Sequence, residues 1–173
     1  KLSAVAAGIR YRGRKDVMLA DLAPGTTVGG VFTRSKTAAA PVIWCREKLK
    51  SGRARAVLVN AGNANAFTGI AGVSAVEKVA KAVAAEIGCR SSDVFLASTG
   101  VIGEPLPHDR ITCALGKLHR GLSGAGWRAA AESIRTTDTF PKAAAAVAHI
   151  DGKPYTIAGI AKGSGMIAPD MAT

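Results

Sequence analysis

Aromatic residues and cysteines are scarce in this 173-residue chain, and both shortages exclude classes of protein. Phe, Trp and Tyr make up 5% of the residues, so few side chains are available for stacking on nucleic-acid bases. The cysteines are an odd number without a CxxC pair, which argues against a disulfide framework. They are Cys45, Cys89 and Cys113. This cysteine usage favours a cytosolic protein with reduced, packed thiols.

The common metal and nucleotide motifs are also missing. The histidines are scattered, with no HExxH pattern, so we expect no zinc site. They are His108, His119 and His149. No GxGxxG opens a helix after a strand, and neither GxxxxGK[ST] nor GxSxG occurs. The sequence therefore predicts no metal and no resident cofactor.

No segment is long and apolar enough to predict a membrane span. The longest run without charged residues covers residues 56–76, but asparagines and glycines interrupt it, whereas a span needs about 20 mainly apolar residues. Lys1 is not followed by the apolar region of a secretory signal. We therefore expect a cytoplasmic protein with no membrane partner.

Acidic residues are few relative to basic ones, and the imbalance lies in the first half of the chain. The net charge is +11, and residues 1–90 hold 15 Lys and Arg against 5 Asp and Glu. A solvated basic face is the favoured interpretation, followed by an acidic protein partner. A nucleic-acid-binding module is a further alternative. The basic clusters do not interleave aromatics in a base-stacking pattern, so we expect no nucleic-acid partner.

The pattern of hydrophobic residues predicts one α+β domain, with helices layered on a mixed or largely antiparallel sheet. Val76, Val79 and Val83 recur at helical spacing, and Gly88 ends that helix. An Asp-Gly pair predicts a hairpin turn between the last two strands. We predict strands over residues 16–22, 28–33, 55–60, 94–97, 143–150 and 155–161, and helices over residues 73–87, 107–120 and 126–135.

Two polar segments follow predicted strands. Residues 60–65 (NAGNAN) carry three asparagines, whose amides can hold a polar substrate but more often hold turns. Ser98, Thr99 and Gly100 follow the next predicted strand. A hydroxyl beside a flexible amide can direct two donors at one point, as an oxyanion hole requires, although a plain turn is the commoner use. Residue type alone leaves both interpretations open.

Six segments of the chain carry a more specific signal. They are residues 29–33 (GGVFT), 39–42 (AAPV), 60–65 (NAGNAN) with 68–69 (TG), 98–103 (STGVIG), 136–138 (TTD) with 141–142 (PK), and 162–173 (KGSGMIAPDMAT). Together, and in this order, they resemble the ornithine acetyltransferases, also called glutamate N-acetyltransferases, of arginine biosynthesis. The resemblance covers essentially the whole chain, and six segments in order are far more specific than one.

The resemblance implies that the chain comes from a precursor that cuts itself. In that family the cut lies between an alanine and a threonine, and the new terminal threonine is the nucleophile of the downstream β chain. Here the cut would fall between Ala172 and Thr173, so that residues 1–173 correspond to the α chain. The implied architecture is of the self-processing, N-terminal-nucleophile type, related to aminopeptidases. The implied assembly is an α2β2 heterotetramer.

The resemblance also implies an activity and its site residues. Thr173 would take an acetyl group from N2-acetylornithine and pass it to glutamate in a ping-pong reaction. The Thr99 side chain and the Gly100 N–H would stabilise the oxyanion, and Thr136 and Lys162 would contact substrate. No cofactor is implied. Acetyl-CoA would be a co-substrate only in a bifunctional member that also acetylates glutamate from it.

Two further functions remain compatible with the residues. A self-processing aminopeptidase or amidase of related fold would use the same terminal nucleophile and oxyanion hole, but would not transfer acetyl to glutamate. A purely structural subunit would be unaffected by replacement of Thr99.

Overall fold

The computed structural model describes residues 1–164, in which four strands form one sheet, two strands form another, and helices pack on the first. The predicted α+β class is thereby confirmed. Ala172 and Thr173, the predicted cleavage residues, lie outside the described residues, as does the part of the 162–173 segment beyond Ser164.

The larger sheet is mixed and has the strand order β1-β2-β3-β4. β1 (Leu2–Val5), which the sequence analysis missed, pairs antiparallel with β2 (Val17–Asp21), and β2 pairs antiparallel with β3 (Ala56–Asn63). β3 pairs parallel with β4 (Val94–Val101). Parallel strands need a crossover connection, which helix α2 (Gly69–Ile87) provides.

One face of this sheet is covered by helices. Val17, Leu19 and Leu58 are buried there, because alternate residues of a strand point to opposite faces. Each fully buried side chain of this kind contributes about 1.5–3 kcal/mol. The helical side of the core comes from Val76, Val79 and Val83 on α2, and from Ile111, Leu115 and Leu118 on α3 (His108–Arg120).

Helix α2 confirms the strongest helical prediction and begins earlier than expected. It ends at Gly88, which has a φ of 74° and donates its N–H to the carbonyl of Ala84. Glycine is favoured here because the left-handed conformation strains other residues. None of the helices within residues 1–164 has the length and apolarity to cross a membrane.

Helix α1 (Ala40–Lys48), which was not predicted, covers the outer edge of β4. Trp44 Nε1 donates to the Val94 carbonyl at 2.9 Å, and Cys45 Sγ contacts both the N–H and the carbonyl of Leu96. These side chains satisfy backbone groups that an uncovered edge strand would leave unpaired. Burial raises the pKa of the Cys45 thiol, which favours its protonated form.

The predicted strand over residues 28–33 is wrong. The segment is an irregular connection, in which the Val28 N–H donates to the Gly52 carbonyl. Val31 is 82% exposed, so its apolar side chain does not mark a buried strand. The two glycines inside the segment weaken strand formation, and this outweighs the preference of the flanking valines and Phe32.

The second sheet is a hairpin of β5 (Lys142–Ile150) and β6 (Lys153–Ala161), as predicted. Asp151 and Gly152 form its turn, with φ values of 50° and 73°. Positive φ at both central residues is the geometry of a type I′ turn, whose twist matches that of the flanking strands.

Helix α4 (Trp127–Ser133) connects this hairpin to the larger sheet. Ala130 of α4 is buried in a small cluster with Met18 and Ala20 of β2, and Ile160 of β6 packs against that cluster. The contact is made on the face of the sheet opposite α2 and α3. The end of β6 is therefore held close to the sheet.

Candidate functional site

Thr99 and Gly100 lie within β4, near its carboxyl end, and not in a separate turn. In the parallel register, Thr99 lies opposite Ala61 and Asn63 of β3. The carboxyl ends of parallel strands meet at one edge of a sheet, which is a common location for binding sites. The two polar segments identified in the sequence are therefore neighbours in the fold.

Gly100 is fixed by the close approach of its backbone to β3. Its φ is +136°, and a Cβ at this position would lie 2.3 Å from the carbonyl carbon of Gly62 and 2.6 Å from the nitrogen of Asn63. The register between β3 and β4 shifts at Asn63, as in the β-bulges found beside many sites. Backbone packing therefore requires a glycine at position 100, independently of any role of its N–H.

The asparagines of residues 60–65 lie in the last part of β3 and just after it, and their side-chain amides hold the backbone there. Asn60 Nδ2 donates to the Asn63 carbonyl at 2.9 Å, and Asn63 Oδ1 accepts from the Asn65 N–H at 2.7 Å. Ser98 Oγ donates to Asn60 Oδ1 at 2.7 Å. All three asparagines are buried, so these contacts favour the turn interpretation over substrate binding.

Lys162 links two other residues that the resemblance assigns to the site. Its Nζ donates to Thr99 Oγ1 at 3.1 Å and to Thr136 Oγ1 at 2.8 Å. Thr99 belongs to β4, Thr136 to the connection between α4 and β5, and Lys162 directly follows β6. Residues that are 63 and 26 positions apart in sequence thus meet at one exposed ammonium group.

Asp138 adjoins this contact, and the sequence analysis assigned it no role. Its carboxylate, 1% exposed, accepts from Lys142 Nζ at 2.8 Å, the Gly163 N–H at 2.6 Å and the Thr136 N–H at 3.2 Å. Burial alone would raise the pKa of Asp138, but these hydrogen bonds and the Lys142 charge lower it well below its usual range. The one sequence signal was its place in the TTD segment.

Thr99 and Lys162 also line a cleft of about 610 Å³ on the face of the sheet next to α4 and β6. Polar groups concentrated at one side of an apolar cleft can orient a ligand. The apolar lining comes from Leu2, Met18, Ala20, Val57, Val59, Ala97, Trp127, Ile134, Ile160 and Ala161.

The structure therefore brings together Thr99, Gly100, Thr136 and Lys162, while Thr173 lies outside the described residues. Within residues 1–164, no group of three or more His, Cys, Asp or Glu side chains is arranged to hold a metal ion.

Comparison with known proteins gives one family. The model of the ArgJ family matches residues 1–173. The chain is 61% identical over 173 residues to "Arginine biosynthesis bifunctional protein ArgJ" of Gluconobacter oxydans, covering all of this chain and 41% of that protein. It is 54% identical over 173 residues to the protein of the same name from Bradyrhizobium diazoefficiens, covering all of this chain and 42% of that protein. The chain thus spans about two fifths of the length of these relatives.

Two solved structures share the fold. The arginine biosynthesis bifunctional protein argJ of Bacillus halodurans has a TM-score of 0.89 at 34% identity, over 97% of this chain and 88% of that one. Ornithine acetyltransferase of Mycobacterium tuberculosis, in complex with ornithine, has a TM-score of 0.88 at 38% identity, over 97% of this chain and 90% of that one.

Proposed function

The chain belongs to the ArgJ family, and we propose that it is the α chain of a self-cleaved acetyltransferase that moves the acetyl group of N2-acetylornithine to glutamate in arginine biosynthesis. The observation that supports this most directly is the contact of Lys162 with both Thr99 and Thr136. Three residues given site roles by resemblance alone meet at one cationic point beside a cleft.

Thr173 supplies the nucleophile once the peptide bond after Ala172 has broken. For that cleavage, the Thr173 hydroxyl attacks the Ala172 carbonyl, the acyl group shifts from nitrogen to oxygen, and water hydrolyses the ester. A threonine hydroxyl is a weak nucleophile and needs a base. The free α-amine of Thr173, with an ordinary pKa of about 8, can be that base. Cleavage therefore creates the catalyst.

The reaction then runs in two balanced halves. The Thr173 oxygen attacks the acetyl carbonyl of N2-acetylornithine, and its α-amine takes the hydroxyl proton. The tetrahedral intermediate expels the α-amine of ornithine, which leaves with that proton, and Thr173 keeps the acetyl group as an ester. The amine of glutamate attacks this ester, and the same steps in reverse release N-acetylglutamate.

The residues of this chain serve both halves. The Thr99 hydroxyl and the Gly100 N–H donate to the oxyanion of each tetrahedral intermediate, where one such donor is typically worth about 10²–10³ in rate. Lys162 binds the α-carboxylate of the substrate, because an ammonium is a compact point charge with three donors. Thr136 contacts the substrate beside it.

A β chain from the same precursor completes the protein. The chain spans about two fifths of its relatives, and side chains such as Val147 and Ile157 of the hairpin are exposed here. An apolar surface of this kind favours burial against a partner. We extend the proposal to one α-chain domain over residues 1–173, an α2β2 heterotetramer in the cytoplasm, and no cofactor. Acetyl-CoA is a co-substrate only if the enzyme is bifunctional.

The proposal is tested on the full-length precursor, assayed with N2-acetylornithine and glutamate. Thr99→Ala should lower kcat by about 10²–10³ with the fold intact, and Thr173→Ala should remain one uncleaved band on a denaturing gel. Thr112→Ala is the matched control and should behave as wild type, because the Thr112 hydroxyl donates to the exposed carbonyl of Asp109 in its own helix α3.

Three outcomes would count against the proposal. Full activity of Thr99→Ala would remove its oxyanion role, and two bands from Thr173→Ala would remove the cleavage site. Hydrolysis of peptide amides without transfer of acetyl to glutamate would favour the self-processing aminopeptidase or amidase instead.

A further inference from the structure

We infer that Asp138 is a positioning residue that holds Lys162 in place between Thr99 and Thr136 by tying the Thr136 loop to the backbone of Gly163. The inference rests on the proposed function for its effect on turnover, and on geometry alone for its effect on the backbone. Asp138 itself touches neither Thr99 nor the cleft in the contacts described above.

Asp138 is anchored through both its carboxylate and its main chain. Oδ1 accepts from Lys142 Nζ at 2.8 Å and from the Gly163 N–H at 2.6 Å, while Oδ2 accepts from the Thr136 N–H at 3.2 Å. Arg135 donates to the Asp138 carbonyl through Nε at 3.2 Å and Nη2 at 2.7 Å. These contacts fix the position of the Asp138 carboxylate, which can in turn fix the positions of the groups that donate to it.

The contact with Gly163 falls where strand pairing stops. Ala161 is the last residue of β6 and pairs with Lys142, so Lys162 and Gly163 lie beyond the ladder. A lysine side chain has four flexible carbons, and its head can stay between two hydroxyls only if its own backbone is fixed. The Asp138 bond supplies this by holding the N–H that directly follows Lys162.

The Asp138 carboxylate also holds Thr136, one of the two residues whose hydroxyls contact Lys162. It accepts the N–H of Thr136, whose hydroxyl is one of the two acceptors for Lys162. A single buried group therefore fixes the spacing between Thr136 and the Lys162 backbone. Because Lys162 Nζ donates to Thr99 Oγ1, the one proton of the Thr99 hydroxyl remains available for the oxyanion. Loss of the Asp138 contacts would disturb both the ammonium and this hydroxyl.

Asp138→Asn tests the role with almost no change in shape. Both carboxylate oxygens face N–H donors, so the amide nitrogen would confront a donor whichever way it turned. In the full-length enzyme we expect kcat for acetyl transfer to fall at least about 10-fold, and the Gly163 amide to exchange with solvent deuterium at least about 10-fold faster. Asp93→Asn is the matched control, since Asp93 is also buried and pairs with Arg90. It should change neither value.

A second variant keeps the test decisive if Asp138→Asn does not fold. Lys142→Met removes the ammonium but leaves the backbone donors of Gly163 and Thr136 on Asp138, so we expect smaller changes in the same direction. An unchanged rate of deuterium exchange at the Gly163 amide in the folded variants would overturn the positioning role of Asp138. Faster exchange with unchanged kcat would overturn its catalytic relevance. If the wild-type enzyme transfers no acetyl group, the proposed function fails, but the exchange rate at Gly163 still shows whether Asp138 holds the backbone after Lys162.

Discussion

The four-stranded sheet and the β5–β6 hairpin are both rich in apolar residues, but within residues 1–164 helices bury much of the sheet, whereas most of the hairpin's large apolar side chains are exposed. Leu58 of β3 is 2% exposed beneath α2 and α3, whereas Ile157 of β6 is 63% exposed. Apolar strands in an isolated two-stranded ribbon are marginally stable in water. The difference shows that one region carries its own core, whereas the hairpin displays surface suited to a partner.

The site lies where these two regions meet. Thr99 belongs to the sheet, whereas Thr136 precedes the hairpin and Lys162 follows it. The bridge made by Lys162 therefore depends on how the hairpin is held against the sheet. Substitutions in the two regions can show whether the contrast in burial is also a contrast in stability.

The largest effect is expected from replacing a glycine of the sheet, compared with a glycine of the hairpin turn. Gly100→Ala would place a Cβ 2.3 Å from backbone at a φ of +136°, whereas Gly152→Ala would meet nothing within 4 Å at a φ of +73°. We expect Gly100→Ala to cost more than about 4 kcal/mol or to prevent folding. Gly152→Ala should cost about 1–2 kcal/mol, from backbone strain alone. Soluble yield and thermal melting of the full-length protein measure both.

Equal losses in the two glycine variants would contradict this prediction. They would mean that backbone conformation, and not the approach of β4 to β3, determines the cost at Gly100.

The next effect compares two large apolar side chains. Leu58→Ala should lower the free energy of unfolding by about 2–5 kcal/mol, because it leaves a cavity in the core. If the β chain covers the hairpin, Ile157→Ala should cost a similar 2–4 kcal/mol in the full-length protein. Val31→Ala, at an exposed position outside both sheets, should stay within about 0.5 kcal/mol. Denaturant titration gives all three values.

The Ile157 result decides the contrast between the two regions. A cost no larger than that of Val31→Ala would mean that the hairpin stays uncovered in the complete protein, and would remove one support for the β-chain interface.

Local sequence patterns predicted the elements that are determined by residues close together in the chain. The spacing of Val76, Val79 and Val83 gave α2, and the Asp151-Gly152 pair gave the hairpin. The 28–33 prediction failed because a glycine pair opposed the flanking strand formers. Helix α1 was missed because it is short, and its role is to cover the edge of β4, a contact with a distant segment.

The site divides in the same way. Thr99, Gly100, Thr136 and Lys162 were assigned by resemblance, and their meeting point depends on contacts between distant segments. Asp138 was not singled out, because an aspartate four residues before a hairpin is typical of an ordinary polar loop. Its function follows from burial and from three donors converging on it, which only the folded chain reveals.

The smallest of these effects is expected in acid. It concerns the ion pair between Asp138 and Lys142, the first residue of the hairpin. Folding lowers the pKa of Asp138, so its contribution to stability is fully present above the unfolded value of about 4 and is lost as the pH falls below it. That contribution is on the order of 1–2 kcal/mol. Wild type should therefore lose stability more steeply than Asp138→Asn between pH 6 and pH 3, as measured by the melting temperature.

Lys142→Met should reduce this slope less than Asp138→Asn does, since the Gly163 and Thr136 donors remain. Parallel slopes for wild type and Asp138→Asn would mean that the carboxylate gains nothing on folding, and the ion pair at the base of the hairpin would then be no stronger than an exposed one.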